Sequence, residues 1–160
     1  MSTTTIRDLL ADHRFFAGLP AADLDLIAGC GVNVAFRAGA MVAREGDPAD
    51  RFFVVREGHG AIEVHAPGRG ALVVATAGPG DVIGWSWLFP PHQWRFDVRA
   101  VTDVRAVALD GACLRGKADE DPALGYRLME RFARILVSRL ESTRLQLADL
   151  YGTGEAAGVP

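Results

Sequence analysis

The side chains best suited to recognising a ligand lie in one stretch, GDVIGWSWLFPPHQWRFDVRA (80–100). Trp85, Trp87 and Trp94 are all the tryptophans of the chain. Their rings offer flat apolar walls on which a ligand ring can stack. Arg95 stands beside them. If Gly84, Trp85, Ser86, Trp87 and Leu88 form a turn of helix, their N–H groups and Arg95 make an anion hook. Two outcomes are open: the aromatic residues line a ligand site, or they fill a site that a relative leaves empty. Catalysis is not indicated. Ser86 has no evident base, no Ser-His-Asp or paired-carboxylate pattern stands near it, and no catalytic residue is assigned. The four histidines, His13, His59, His65 and His92, are scattered without metal-ligand spacing, so no metal ligand is assigned either. Cys30 and Cys113 form no C-x-x-C pair and have small or apolar neighbours, so they read as two separate buried thiols.

Composition narrows the classes further. The chain has 160 residues, 49% of them hydrophobic and 23% charged, which suits one domain with a substantial core. The net charge of −3 argues against a general affinity for nucleic-acid phosphates. The N-terminus has no signal-peptide pattern, and no apolar run is long enough to span a bilayer. A cytoplasmic, reducing location is the expectation.

The elements that must position these residues change period twice. Residues 6–29 read as short helices, broken at Gly18-Leu19-Pro20 and stopped at Gly31. From residue 32 the period is two: Val32, Val34 and Phe36 alternate with polar or small residues, as do Ile62 with Val64 and Phe96 with Val98. Short apolar runs at 52–55, 71–76 and 104–109 lie between glycine-rich turns. Strands this short and this regularly spaced point to a sandwich or jelly roll. At Asp121-Pro122 a capping residue followed by proline starts a long helix, expected over about 122–151. Leu128, Phe132, Ile135, Leu136, Leu140 and Leu147 make its apolar stripe, which is the expected seam with a second copy. Arg127, Arg131 and Arg134 share another face. Residues 152–160 read as a disordered tail.

The pieces FFAGLP (15–20), REGDPADRFFVVREGHGAIEV (44–64) and GPGDVIG (78–84), followed by a long helix, resemble the cyclic-nucleotide-binding domain of the catabolite-activator and fumarate-nitrate regulator superfamily. Gly46, Asp50 and Gly58 stand at that family's turn positions. The resemblance covers nearly the whole chain, and it implies one domain over 1–151. The implied fold is mainly β with flanking helices: an eight-stranded jelly roll over about 32–110, short N-terminal helices and a long C-terminal dimerisation helix. It also makes 84–96 the phosphate-binding cassette. In the family a glutamate there takes a ribose hydroxyl and an arginine neutralises the cyclic phosphate. Here Gly84 is kept, Trp85 stands in the glutamate position and Trp94 in the arginine position. Arg95 is one residue late and substitutes only if a bulge absorbs the shift. Phe96 is large where the family is small. Thr143 stands where relatives place a hydroxyl against the purine of the partner protomer.

These departures imply a stand-alone, dimeric regulatory module that binds cyclic AMP weakly and acts through a protein partner, a redox enzyme being one candidate. A sensor of another small ligand, walled by Trp85, Trp87 and Trp94, is the alternative. A transcription factor of the family's kind is disfavoured because only nine residues follow Tyr151, too few for a helix-turn-helix. Neither direct DNA binding nor membrane attachment is expected. No cofactor is assigned, and a cyclic nucleotide is disfavoured.

Overall fold

In the computed structural model, residues 3–157 are described, with side chains through residue 152. The alternating segments form eight strands among the described residues: β1 (Gly31–Phe36), β2 (Met41–Ala43), β3 (Arg51–Glu57), β4 (Gly60–Ala66), β5 (Gly70–Ala77), β6 (Val82–Ile83), β7 (Asp97–Ala100) and β8 (Val104–Asp110). They make two four-stranded antiparallel sheets, in the orders β1-β8-β3-β6 and β2-β7-β4-β5. Strands next to each other in the chain mostly fall in different sheets, as a jelly roll requires. The inner faces enclose one core, to which β2 gives Val42, β3 Phe53, β4 Ile62, β6 Ile83, β7 Val98 and β8 Ala106. The expected fold class is therefore the observed one.

Turn chemistry holds the roll's corners. Gly58 joins β3 to β4 with φ 84°, and a Cβ there would lie 2.0 Å from the Asp103 carbonyl oxygen, so no other residue fits without moving backbone. The N-terminal helices are α1 (Ile6–Asp12) and α2 (Ala21–Ala28), with a 3-10 turn at Arg14–Phe16 between them. Thr5 and Asp8 form a reciprocal capping box at the start of α1. After β8, Asp110 caps α3 (Gly111–Glu120) by accepting from the Cys113 N–H at 2.8 Å. Asp121 then accepts from the Leu124 N–H at 3.2 Å and opens α4 (Pro122–Ala157), as the Asp-Pro pair led one to expect. The helix runs past residue 151 to Ala157. Residues 158–160 of the expected tail lie outside the described residues.

The two cysteines depart from expectation. Cys30 and Cys113 are not separate thiols but a disulfide, with Cα atoms 5.7 Å apart and 83 residues between them in sequence. The cause is strand pairing. Antiparallel β1 and β8 set Gly31 opposite Leu109, so the residue before β1 meets the first turn of α3. Closing so long a loop stabilises the fold by about 4–5 kcal/mol on the chain-entropy view.

The chain divides into two compact units between Gly125 and Tyr126. In the second unit, Leu128 and Phe132 are buried, at 2% and 1% exposure. Ile135 and Leu136 are half-buried, and Leu140 and Leu147 are exposed. On a 4-3 spacing, Met129, Ala133, Leu140, Thr143, Leu147 and Leu150 are exposed and Leu136 is half-buried, all apolar except Thr143.

Candidate functional site: an aromatic-filled cassette

The cassette begins at the turn after β5. The Gly80 N–H donates to the Val55 carbonyl at 3.0 Å, and the Val55 N–H to the Asp81 carbonyl at 2.9 Å. The Asp81 carboxylate accepts from the Gly78 N–H at 2.9 Å and pairs with Arg14, which also donates to the Gly80 carbonyl. Close by, buried His13 has Nε2 2.9 Å from the Val55 carbonyl oxygen and Nδ1 3.2 Å from the Phe15 nitrogen. The first nitrogen therefore carries the proton and the second accepts. Burial pushes this imidazole below its ordinary pKa, the Val55 contact opposing in part.

After β6, Gly84 turns the chain with φ 102° and Ser86–Leu88 form a single 3-10 turn. The stretch with Pro90 and Pro91, joined by a cis bond, leads to Trp94. Trp94 is fixed by its backbone: its N–H donates to Asp47 at 2.9 Å, and its carbonyl accepts from Gly46 at 2.8 Å. At the exit, Asp97 accepts from the Glu45 N–H at 2.8 Å and lies 2.9 Å from His65. The Glu45 N–H, with His65 adding, holds the Asp97 carboxyl below the usual carboxylate range, against desolvation.

Trp94, Arg95 and Phe96 alternate as the approach to a strand should. Trp94 and Phe96 are buried in the roll's core and Arg95 is exposed between them. No bulge returns Arg95 to the inside, so its side chain stays on the outer face. The Trp94 ring instead covers the cassette glycine. A Cβ built on Gly84 would lie 2.6 Å from Trp94 Cη2. Trp94 lies edge-on to Phe96, with centroids 5.9 Å apart, and Phe96 meets half-buried Trp85 at 5.3 Å. Trp85, Trp94 and Phe96 thus form one packed cluster in the roll.

Trp87 is not part of it, which corrects the expected three-tryptophan wall. It is 2% exposed and stacks on Phe52 at 4.9 Å, whereas Trp94 meets Phe53 at 6.4 Å. Phe52 and Phe53 are neighbours on a strand and point to opposite faces. Of the other cassette residues, Ser86 is buried and Leu88 half-buried. Beside Trp94 a small cavity of about 160 Å³ remains, with Phe53 as its apolar wall and Arg44, Arg51, Asp47 and Asp50 around it. Thr143 is exposed on α4 and donates its hydroxyl to the Arg139 carbonyl at 2.9 Å.

Some contacts around the cassette were not foreseen. Arg115 of α3 donates to the Trp87 carbonyl, and Asp97 ties the cassette exit to Glu45 and His65. No local pattern marks Arg115. Asp97 carried a weak signal, a carboxylate beginning a strand. Among the described residues there is no group of three or more His, Cys, Asp or Glu side chains placed to hold a metal ion, and no helix long and apolar enough to cross a membrane.

Comparison with known proteins agrees with this architecture. The family model described as "Cyclic nucleotide-binding domain" matches residues 33–121. A curated relative, the CRP-like cAMP-activated global transcriptional regulator of Mycobacterium tuberculosis, is 30% identical over 146 residues, covering 91% of this chain and 63% of the regulator. The chain thus spans under two thirds of that relative. The N-terminal domain of a Streptomyces coelicolor transcriptional regulator superposes with a TM-score of 0.67 at 27% identity, covering 85% of this chain and 95% of that one. A cyclic nucleotide-binding domain from Methylobacillus flagellatus superposes with a TM-score of 0.76 at 19% identity, covering 90% and 82%. With the family model matched over more than half of its length on an eight-stranded jelly roll followed by a long helix, this chain is a member of the cyclic nucleotide-binding domain family.

Proposed function

We propose that the chain is a regulatory module in which the cassette is filled by its own aromatic side chains, so that cyclic AMP binds weakly or not at all. The module acts as a homodimer and passes its state to a protein partner. The observation that carries this reading is the Trp94 ring lying on Gly84, where a phosphate would meet backbone N–H groups. Two charge-assisted contacts are also missing, with Trp85 and Trp94 in the glutamate and arginine positions. Each such contact contributes about 1.5–3 kcal/mol, so the loss is about 3–6 kcal/mol, or roughly 10²–10⁴ in affinity. The cavity of about 160 Å³ is small beside the roughly 300–1,000 Å³ of ordinary ligand pockets.

Dimerisation is supported by the exposed 4-3 stripe on α4, in which Leu140 is 52% and Leu147 49% exposed. The same cavity supports a second reading, a sensor of a ligand smaller than a nucleotide, because charged groups of both signs surround it. Calorimetry tests the first reading. Wild type shows no heat of binding with cyclic AMP at about 100 µM, whereas a variant carrying Trp85→Glu, Trp94→Arg and Phe96→Ala binds measurably. Micromolar binding by wild type overturns the proposal. A thermal-shift panel of small amino, carboxylate and phosphate compounds tests the second reading.

A further inference from the structure

We propose that Cys30 and Cys113 are a reversible thiol–disulfide pair whose state is transmitted through α3 to the cassette; the inference does not depend on what the cassette binds. The argument starts from the faces of α3. Residues four apart lie on the same side of a helix, and residues two apart lie on nearly opposite sides. Cys113 and Lys117 form one side. Cys113 bonds to Cys30 just beyond α2, and the Lys117 ammonium donates to the Leu26 carbonyl at the end of α2. Gly111 and Arg115 form the other side. Gly111 lies so close to Trp87 that a Cβ there would be 3.0 Å from the tryptophan Cβ, and Arg115 donates to the Trp87 carbonyl. One short helix is therefore held on one side by the disulfide and on the other by the cassette's 3-10 turn.

Access favours exchange at Cys113. It is half-buried, while Cys30 is 7% exposed, so Cys113 offers the more accessible sulfur. Exchange depends on which sulfur a thiolate can reach, and here that is Cys113. The reductant fitting this chemistry is a dithiol. One of its thiolates attacks Cys113 Sγ, forming a mixed disulfide and expelling the Cys30 thiolate, which takes up a proton. The reductant's second thiol, as thiolate, attacks its own sulfur in the mixed disulfide and releases Cys113 as a thiolate, which is protonated in turn. Two electrons pass to the pair, and the dithiol leaves as its own disulfide. Backbone N–H groups in the first turn of α3 favour the departing Cys113 thiolate, although the Asp110 carboxylate at the cap opposes them. Once the bond is open, α3 keeps its Lys117 contact and the hydrogen bond from the Asp110 N–H to the Cys30 carbonyl, 2.9 Å. Reduction therefore loosens α3 without detaching it.

The test is hydrogen exchange by mass spectrometry on the whole chain, oxidised and after treatment with dithiothreitol, with thiols counted by a chromogenic disulfide reagent. Expected are two titratable thiols appearing on reduction and amide exchange over residues 84–89 rising roughly tenfold, the effect of weakening one charge-assisted hydrogen bond. Reoxidation restores the slow exchange. The Cys30→Ser, Cys113→Ser double variant exchanges fast in both conditions. Arg115→Gln keeps the disulfide but abolishes the difference between the two states, which a merely structural staple would not do. The proposal is overturned if the folded protein forms no disulfide. It is equally overturned if exchange over 84–89 ignores the redox state, or if Arg115→Gln leaves the redox difference intact.

Discussion

Placing a methyl group on Gly84 probes the contact that closes the cassette. Two costs are expected for Gly84→Ala. The first is backbone: at φ 102° an alanine is strained by about 1–3 kcal/mol. The second is steric: the new Cβ would lie 2.6 Å from Trp94 Cη2 and 3.0 Å from Cζ3, an overlap costing about 1–3 kcal/mol. Phe52 Cβ, at 3.5 Å, is in ordinary contact and adds nothing. Trp94→Ala alone removes a buried ring and costs about 3–5 kcal/mol. In the double variant the overlap disappears and only the backbone strain is added. Its total cost should therefore fall short of the sum of the single variants by about 1–3 kcal/mol. Urea unfolding followed by far-ultraviolet circular dichroism measures this without relying on the tryptophan being changed. Costs that add to within about 0.5 kcal/mol mean the Trp94 ring is not on Gly84, and the explanation of the closed cassette fails.

Two further tests address the rest of the chain. Wild type is expected to scatter light as a particle of about twice the 17.1 kDa chain mass, and Leu140→Glu with Leu147→Glu is expected to return it to one chain; equal masses for the two proteins remove α4 as the seam. The buried contact of His13 with the Val55 carbonyl is tested by pH. Its folded pKa is depressed by burial, so its contribution to stability is complete above the unfolded imidazole value of about 6.5 and is lost progressively as pH falls from there toward the folded value. The urea midpoint of wild type should drop between about pH 7.5 and pH 5, and His13→Gln, starting lower, should drop less; parallel profiles count against the assignment.

Features resting on near neighbours were legible from the residues. Alternation marked the strands, and Asp121-Pro122 marked the start of α4; the resemblance to the family added the expectation that Trp85 and Trp94 stand in charged positions of the cassette. The same two-residue period decided Arg95: with Trp94 and Phe96 buried, the residue between them faces out. The apolar stripe of α4 was visible too. Leu128 and Phe132 sit on the same helical pattern as Leu140 and Leu147, and periodicity does not tell that the first two are buried and the last two exposed.

What the sequence alone determined was the set of faces: which residues turn inward on a strand and where helices begin. Local geometry dictates these, since strand and helix periods act over a few residues. Tertiary structure decided who meets whom. Pairing of β1 with β8 brought Cys30 to Cys113 across 83 residues and turned two expected thiols into a disulfide. The opposite directions of Phe52 and Phe53 on β3 sent Trp87 to one side of the sheet and Trp94 to the other. Such contacts depend on strand order and register, which arise only when the whole chain closes its core, so no window of sequence contains them.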